Sequence, residues 1–348
     1  MGTLRVAAAA SVLLLGLTGC AGAGYPAAHP GATGSGQAGQ QLTVAKAREV
    51  FDGFWPRFEQ LAVDYSPGAA RRLTAGAELQ AQLFFRGTSG PTITRLVNES
   101  FYVPRLTGYP RWFWAAGQQA GSRAAGHLFV MVQSASSAPW QTAMALYDLD
   151  SSARMLHYLA SAITKDAQGY AAAVPLSDRG VAVPPSAIPA TYASYLNSQA
   201  THAVRRLFQP GLNTTYFISV DREVFRGAGQ YGWRDTDHQA PAPLPVYALR
   251  ISTGGAVVIF STYDTAGWAA VSSSAPLPAQ PSGIEANYVP PALVVQALGL
   301  TSVKAGTRLT ATAVDRVLAF VQPHGVGSIN VLINNGAATR VQKFSPAG

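Results

Sequence analysis

The sequence predicts an α+β protein built from two tandem domains, each a helical segment followed by an antiparallel sheet. Three observations predict it: helical periodicity that begins at Thr43, short β-type runs from about residue 92 onward, and the same order starting again at Thr191. Helices grouped before strands, instead of strict alternation of the two, indicate an α+β fold in which each sheet packs on its opening helices.

Residues 1–19 form a secretory leader that ends at the single cysteine. Arg5 gives the positive start, residues 6–17 are an uncharged apolar run, and small residues precede Cys20. The run is shorter than the roughly 20 apolar residues of a transmembrane helix, so a signal anchor is disfavoured. The stretch resembles the lipobox of bacterial lipoproteins. That resemblance implies that Cys20 is acylated, becomes the mature N-terminus and holds the protein on the extracytoplasmic face of the cell membrane.

The 348-residue chain is basic but poor in charge. Its formal net charge is +8, and it stays at +7 without the leader because Arg5 is the leader's one charged residue. Two explanations are open: the arginine content follows a GC-rich genome, or the arginines contact anionic lipids or phosphate-bearing wall polymers. Nucleic acid is not expected as a partner of an exported lipoprotein. With Cys20 acylated, neither a disulfide framework nor a cysteine catalyst is expected.

A flexible tether of Gly, Ala, Ser, Pro and Gln is predicted for residues 20–41, before the N-terminal domain at 42–170. Thr43 is the predicted N-cap of a first helix that reaches Leu61, with Pro56 expected to kink or break it. Ser66-Pro67 begins a second helical region, which stops at Gly87. The strands predicted after these helices are 92–103, 111–117, 127–134, 140–149 and 155–163.

An Ala/Pro/Val-rich linker at 171–190 separates this domain from a C-terminal domain at 191–348. A helix is predicted from Thr191 to just before Pro210, and Gly254-Gly255 is a two-residue hairpin turn. The strands predicted for this domain are 214–224, 245–252, 256–263, 268–272, 307–321 and 328–333, with a loop at 276–281 and a short helix at 291–298.

Several of these features together resemble an uncharacterised family of actinobacterial lipoproteins that carry a domain of unknown function. They are the lipobox, the tether, the helix from Thr43 to Leu61, and Tyr247-Ala248-Leu249-Arg250 followed by Gly254-Gly255-Ala256. Each half is similar in element order to the NTF2-like or cystatin-like fold. The resemblance implies a location and a fold, and it brings no known activity, cofactor or catalytic residue.

Sequence motifs of the common enzyme classes are absent. The chain has no H-E-x-x-H, G-x-S-x-G, G-x-x-x-x-G-K-[ST] or EF-hand loop, and its six histidines are scattered. We therefore predict no catalytic residue, no metal site and no cofactor.

The densest polar stretch is residues 231–238, where Trp233, Asp235, Asp237 and His238 are candidate ligand-binding residues. Carboxylates beside an imidazole suit cation binding or acid–base chemistry. The alternative is a turn whose Asp and Thr side chains hydrogen-bond their own backbone.

Trp112 and Trp114 are a second ligand-binding candidate. In a strand both indoles lie on one face, with Phe113 on the other. Exposed indoles would form a stacking platform for a sugar or an anchor for a partner. The alternative is that both side chains belong to the hydrophobic core.

Three functions are compatible with these observations. The first is a non-enzymatic binding or assembly module of the cell envelope, attached through Cys20, with an envelope protein or an anionic wall or lipid component as its possible partner. The second is an extracellular metal-dependent hydrolase that uses the acids and histidine of residues 231–238. The third is a carrier of an apolar envelope molecule in a cavity lined by Phe51, Phe54 and Phe58.

Overall fold

A computed structural model describes residues 41–84, 96–121, 126–147, 152–197, 201–219, 232–271 and 305–344. The α-helices of this part are α1 (Val44–Val63), α2 (Pro67–Leu73), α3 (Gly76–Phe84), α4 (Ser152–Ala162), α5 (Ile188–Leu196) and α6 (His202–Leu207). Its strands are β1 (Leu96–Tyr102), β2 (Arg111–Gln119), β3 (Gly126–Gln133), β4 (Gln141–Leu146), β5 (Trp233–Pro241), β6 (Tyr247–Arg250), β7 (Ala256–Ala270), β8 (Arg308–Val321) and β9 (Ile329–Phe344).

The strands form two antiparallel sheets with the same up-and-down order. The first sheet runs β1-β2-β3-β4, and the second runs β5-β7-β8-β9. β6 pairs with the beginning of β7 and β5 pairs with its end, so both lie along the same edge of β7. The α+β class predicted from the sequence is confirmed, whereas the NTF2-like assignment stays a prediction.

Helices α1 and α2 cover the outer face of the first sheet. The Thr43 hydroxyl accepts a hydrogen bond from the Lys46 amide at 3.0 Å, which caps α1 as predicted. Pro56 lies inside α1 without ending it. Aromatic rings fill the contact with the sheet, and those of Phe51 and Phe129 have centroids 5.7 Å apart.

The inner faces of the two sheets share one hydrophobic core. Trp114 and Val130 of the first sheet belong to the same buried cluster as Val257 and Leu318 of the second. Helices α3 and α4 contribute residues to this cluster as well. The two halves are therefore joined by buried apolar contacts, and their division into separate domains stays a prediction.

Helix α5 packs on the outer face of the second sheet. Its Ile188 and Tyr192 are buried in one cluster with Val258, Phe260 and Val317. The described structure is thus layered as helices, first sheet, second sheet, helices.

The pairing of β8 with β9 contains two register shifts. One lies between Thr312 and Ala313, and the other between Leu318 and Ala319. Between the shifts, Asn334 pairs with Val317 and Asn335 pairs with Arg316. The two asparagines consequently lie on opposite faces of the second sheet.

Several sequence predictions of local structure were wrong: the helix predicted from Thr191 is divided into α5 and α6, the strands predicted at 256–263 and 268–272 are one strand, β7, and the turn at Gly254-Gly255 is longer than two residues. Three further cases have a local explanation. Residues 155–163, predicted as a strand, lie largely in α4, because their apolar residues recur at three- and four-residue steps. The strand predicted at 214–224 begins instead as a π-helical turn at Leu212–Tyr216, where the Thr214 hydroxyl donates to the Gln209 carbonyl at 2.8 Å. The turn considered for 231–238 is replaced by β5, which pairs with β7 along its whole length. The predicted segments 276–281 and 291–298 lie outside the described residues.

In the part of the chain that the structure describes, no helix is long and apolar enough to span a membrane.

Candidate functional site

A band of buried polar side chains crosses the outer face of the second sheet, beside α5. Gln239 lies opposite Asp264 on β7, Thr262 lies opposite Asp315 on β8, and side-chain alternation places all of them on one face. We call Asp237, Gln239, Thr262, Asp315 and Asn334 the polar band. Asp237 is partly exposed at the sheet edge and the other members are buried.

Helix α5 fixes the edge of this band. Asn197, which caps the C-terminus of α5, donates its amide N–H to the Gln239 carbonyl and accepts from the Gln239 backbone N–H, both at 2.9 Å. The Tyr192 hydroxyl donates to the Asn213 carbonyl at 2.7 Å and accepts from Asn334 Nδ2 at 3.4 Å. The backbone around the band is thus held by hydrogen bonds to its neighbours.

The side-chain ends of the band are much less well paired. Among the described residues, no hydrogen-bond partner is found for Asp237 Oδ1, Asp315 Oδ1, Asn334 Oδ1, or either amide atom of Gln239. Gln239 has only 1% of its surface exposed. Each buried polar group left without a hydrogen bond costs about 1–3 kcal/mol, so these atoms are the groups of the band that a hydrogen-bonding partner would satisfy.

The carboxyl of Asp315 has a strongly altered acidity. Burial raises its pKa to about 7, and the nearby Asp237 carboxylate acts in the same direction. Hydrogen bonds from Thr262 and Asn334 and the charge of Arg316 offset part of this increase. Asp315 therefore changes charge near neutral pH.

Acceptors outnumber donors among the unpaired atoms, four oxygens against the NH2 group of Gln239. The arrangement suits a ligand that donates several hydrogen bonds and carries a positive charge. It suits a bare metal ion less well, because a metal ion cannot accept a hydrogen bond from Gln239. In the described part of the chain, no three His, Cys, Asp or Glu residues are grouped so that they could hold a metal ion.

The structure separates the candidates of the polar stretch 231–238. Asp237 belongs to the band, whereas His238 is exposed on the opposite face of β5 because successive side chains alternate. Trp233 is buried at the start of β5. Asp235 lies in β5, where it pairs with Trp268 of β7, and its side chain lies outside the described part. Asp237 and His238 thus do not converge.

The indoles of Trp112 and Trp114 are buried in the core between the sheets. Their ring centroids are 6.3 Å apart, and the Trp112 ring contacts Tyr247 edge-on at 5.4 Å. An exposed stacking platform is therefore not present at these residues, and the alternative core interpretation describes them. Cys20 lies outside the described residues.

Sequence reasoning missed Gln239, Asp315 and Asn334. Each is a polar residue inside a segment that alternates with apolar ones, and the available signal was the Asp315-Arg316 pair in the middle of a predicted strand. A charged pair at such a position indicates a buried polar function.

The opposite face of the same strand carries a second polar cluster, between the sheets. Arg316 Nη1 donates to Glu78 Oε2 at 2.8 Å, and Glu78 Oε1 accepts from Gln82 at 2.8 Å and from the Tyr147 hydroxyl at 3.1 Å. Arg316 Nε also donates to the Asn335 carbonyl at 3.3 Å. Both Glu78 oxygens are paired, so this cluster serves structure and does not resemble an open site.

The described part of the chain is an α+β protein with two antiparallel sheets. The chain belongs to the family defined by the domain of unknown function DUF8094, whose model matches residues 76–290. It is similar to two proteins of Streptomyces coelicolor. "Uncharacterized lipoprotein SCO6871" is 26% identical over 284 residues, covering 76% of this chain and 77% of the relative. "Uncharacterized lipoprotein SCO2278" is 28% identical over 271 residues, covering 74% of each.

An "Uncharacterized lipoprotein" of Streptomyces avermitilis is 28% identical over 233 residues, covering 63% of this chain and 65% of the relative. No solved structure matches the chain. The resemblance to an actinobacterial lipoprotein family is confirmed, and the relatives support a lipoprotein held at the membrane by its lipid.

Proposed function

We propose that this lipoprotein is a non-enzymatic binding protein of the cell envelope, and that its ligand is a small organic cation held at the polar band. The observation that carries the proposal is the set of buried, unpaired oxygens of Asp237, Gln239, Asp315 and Asn334. An ammonium or guanidinium group supplies the several N–H donors that these oxygens need. A hydroxyl or carbonyl on the same molecule would accept from Gln239.

The charge of the site supports a cationic ligand. Asp264 adds a third carboxyl on the same face, buried like that of Asp315 and directly opposite Gln239. Asp315 ionises near neutral pH, so the negative charge of the band increases from pH 6 to pH 8. Cation binding should strengthen across the same range, because the ligand interacts more favourably with the ionised carboxylate.

The other two candidate functions receive less support. The metal-dependent hydrolase would use His238 together with the acids of the polar stretch, but His238 lies on the other face of β5 from Asp237. An apolar carrier needs a cavity, but Phe54 and Phe58 stack on each other at 5.3 Å, and Phe51 lies 6.3 Å from Phe54 and 5.7 Å from Phe129. These rings fill the space that an apolar ligand would occupy.

The ligand is tested by thermal unfolding of the mature lipoprotein in mild detergent. Ethanolamine, glucosamine, argininamide, calcium and magnesium are added separately at pH 6 and pH 8. At least one organic amine should raise Tm, by about 2–4 °C for each kcal/mol of binding free energy, and more at pH 8. Native mass spectrometry of the protein from its own host should show a bound mass that is lost on denaturation.

Matched variants locate the site. Asp315→Asn and Gln239→Leu should each abolish the Tm increase, whereas His238→Ala, on the opposite face of β5, should leave it unchanged. A Tm increase with calcium or magnesium and none with amines would replace the proposal by a metal site. No increase with any compound and a clean apo mass would reject ligand binding at the band.

Attachment through Cys20 has a separate test. We expect wild-type protein in the membrane fraction and accessible to protease on intact cells whose wall has been removed. Cys20→Ser should shift it to the medium or the soluble extracytoplasmic fraction. Retention of Cys20→Ser in the membrane would show that another element anchors the chain.

A further inference from the structure

The tether joins the described structure at one end of the molecule. Gln41, its last residue, accepts a hydrogen bond from Arg105 Nη1 at 3.4 Å. Arg105 is ion-paired with Asp166 at 2.8 Å, in the loop that follows α4. The lipid anchor is therefore connected to the protein beside this loop.

The same end carries the turns of the second sheet. The Thr164 amide, next to that loop, donates to the Arg250 carbonyl at 2.9 Å at the end of β6. In the β6–β7 turn, a Cβ added to Gly254 would lie 3.7 Å from the Pro323 side chain in the β8–β9 turn. We call this surface the tether end; it includes Gln41, the loop 163–171, the β6–β7 and β8–β9 turns, and the segments 178–181 and 205–216 that contact them.

The segment 205–216 belongs to the tether end through β9. Phe208 forms a parallel bridge with Ile329, and the Gln209 amide donates to the Ile329 carbonyl at 2.9 Å. Asn213 Nδ2 donates to the Val331 carbonyl at 3.4 Å. The end of α6 and the turn after it are thus attached to the beginning of β9.

The charges at the tether end are unbalanced. Its acids are neutralised, Asp166 by Arg105 and Asp178 by Arg250, which lowers the pKa of the Asp178 carboxyl through their hydrogen bond. Arginines that are exposed and form no ion pair with any described residue remain on this surface: Arg179, Arg205 and Arg206.

Apolar side chains project from the same surface. Val326, in the β8–β9 turn, is 77% exposed, and Leu212, three residues after Gln209, is 72% exposed. Tyr216, at the end of the same π-helical turn as Leu212, is 57% exposed. Exposed apolar residues beside unpaired arginines are the composition of surfaces that contact anionic membranes.

We propose that the tether end is a second membrane-contacting surface, in which the arginines meet anionic lipid head groups while Val326 and Leu212 enter the interface. Only the twenty residues 21–40 separate Cys20 from this surface, and a chain of that length reaches at most about 70 Å, so attachment through Cys20 keeps this end on the membrane side. The contact fixes the orientation of the protein, with the long strands β7 and β8 directed away from the membrane. The proposed contact is additional to anchoring through Cys20 and is independent of the ligand of the polar band.

Vesicle co-sedimentation of the mature chain carrying Cys20→Ser, which removes the acyl contribution, tests the proposal. The vesicles are phosphatidylcholine alone or with phosphatidylglycerol, in low and high salt. We expect binding to the anionic vesicles that decreases in high salt, and an approximately fivefold loss of partitioning for each arginine removed, since each contributes about 1 kcal/mol. The test variant is Arg179→Gln/Arg205→Gln/Arg206→Gln.

The control variant Arg57→Gln/Arg234→Gln/Arg308→Gln removes the same charge elsewhere. Arg234 and Arg308 flank Ala269 across the sheet, roughly 40 Å along β7 from the tether end. Binding should be retained in this variant and reduced by Val326→Ser/Leu212→Ser. Equal losses in both triple variants would show a nonspecific charge effect, and no binding of the parent chain to anionic vesicles would overturn the proposal.

Discussion

Arg316 and Glu78 form a buried ion pair that joins the two halves of the protein. Arg316 is on β8 of the second sheet and Glu78 is on α3, and their side-chain atoms approach to 2.8 Å with almost no exposed surface. The Tyr147 hydroxyl, from the segment after β4, donates to the same carboxylate, and the nearby negative charge adds to burial in raising the tyrosine pKa. The two halves are therefore connected by a charged contact as well as by the apolar core.

Breaking this pair should be costly. Glu78→Gln leaves the Arg316 charge buried without a counterion, and we expect the free energy of unfolding to fall by about 3–5 kcal/mol. Denaturant unfolding measures the loss. The control is Glu49→Gln, which removes the exposed Lys46–Glu49 pair and should cost less than about 1 kcal/mol. Similar losses in the two variants would contradict a buried structural role.

Asp315 should make the free energy of unfolding decrease as pH rises toward neutral, the opposite of the effect of a carboxyl whose pKa is lowered by folding. Its pKa is about 7 in the folded protein, compared with about 3.9 in an unfolded chain. The folded state therefore binds more protons between these values, and this residue lowers stability progressively as pH rises through that window.

Replacing the carboxyl removes this effect. From pH 5 to pH 8, the free energy of unfolding of Asp315→Asn relative to wild type should increase by about 2–3 kcal/mol. The measurement is denaturant unfolding of extensively dialysed protein at each pH, with exposed Asp64→Asn as a control for net charge. A difference that stays constant with pH would show that Asp315 is ionised throughout.

Trp112 should contribute to stability as a core residue does. Trp112→Ala removes a buried indole from the contact between the sheets, and we expect a loss of about 3–5 kcal/mol in the free energy of unfolding. Val63→Ala, at an exposed position on α1, should change stability by less than about 0.5 kcal/mol. If Trp112→Ala also had so small an effect, the ring would have to be outside the core.

Two glycines should respond to alanine in opposite directions. A Cβ on Gly255 would lie 2.3 Å from the Val321 carbonyl oxygen, so Gly255→Ala must displace backbone and should cost about 1–3 kcal/mol. Gly53, in α1, has no atom within 4 Å of an added Cβ. Gly53→Ala should stabilise by about 1 kcal/mol. Thermal unfolding of both variants compares the two changes, and a stabilised Gly255→Ala would mean that the β6–β7 turn has free space.

Local signals in the sequence predicted local structure well. The N-caps Thr43 and Ser66 each accept a hydrogen bond from an amide three residues later, an interaction contained within one turn of chain. The polar band has no such local signal. Asp315 meets Asn334 and Thr262 through the register of three strands, and register depends on which strands pair.

The polar stretch 231–238 shows the same distinction. Its residue types suggest a turn, yet β5 forms because β7 offers an edge that pairs with all nine of its residues. Once the strand is formed, alternation separates Asp237 from His238. The residue types in 231–238 predicted a polar site. The pairing of β5 with β7 determines which of these residues share a face.

The two register shifts in the pairing of β8 with β9 limit how the length of β9 can change. With these shifts, Asn334 lies on the same face as Asp315, and Asn335 lies on the same face as Arg316. Inserting one residue between Ile329 and Ile333 would place Ile333 opposite Val317 and Asn334 opposite Arg316, so Asp315 would lose its asparagine neighbour. The number of residues between the β8–β9 turn and Asn334 is therefore tied to the register shifts, and a change in one requires a compensating change in the other.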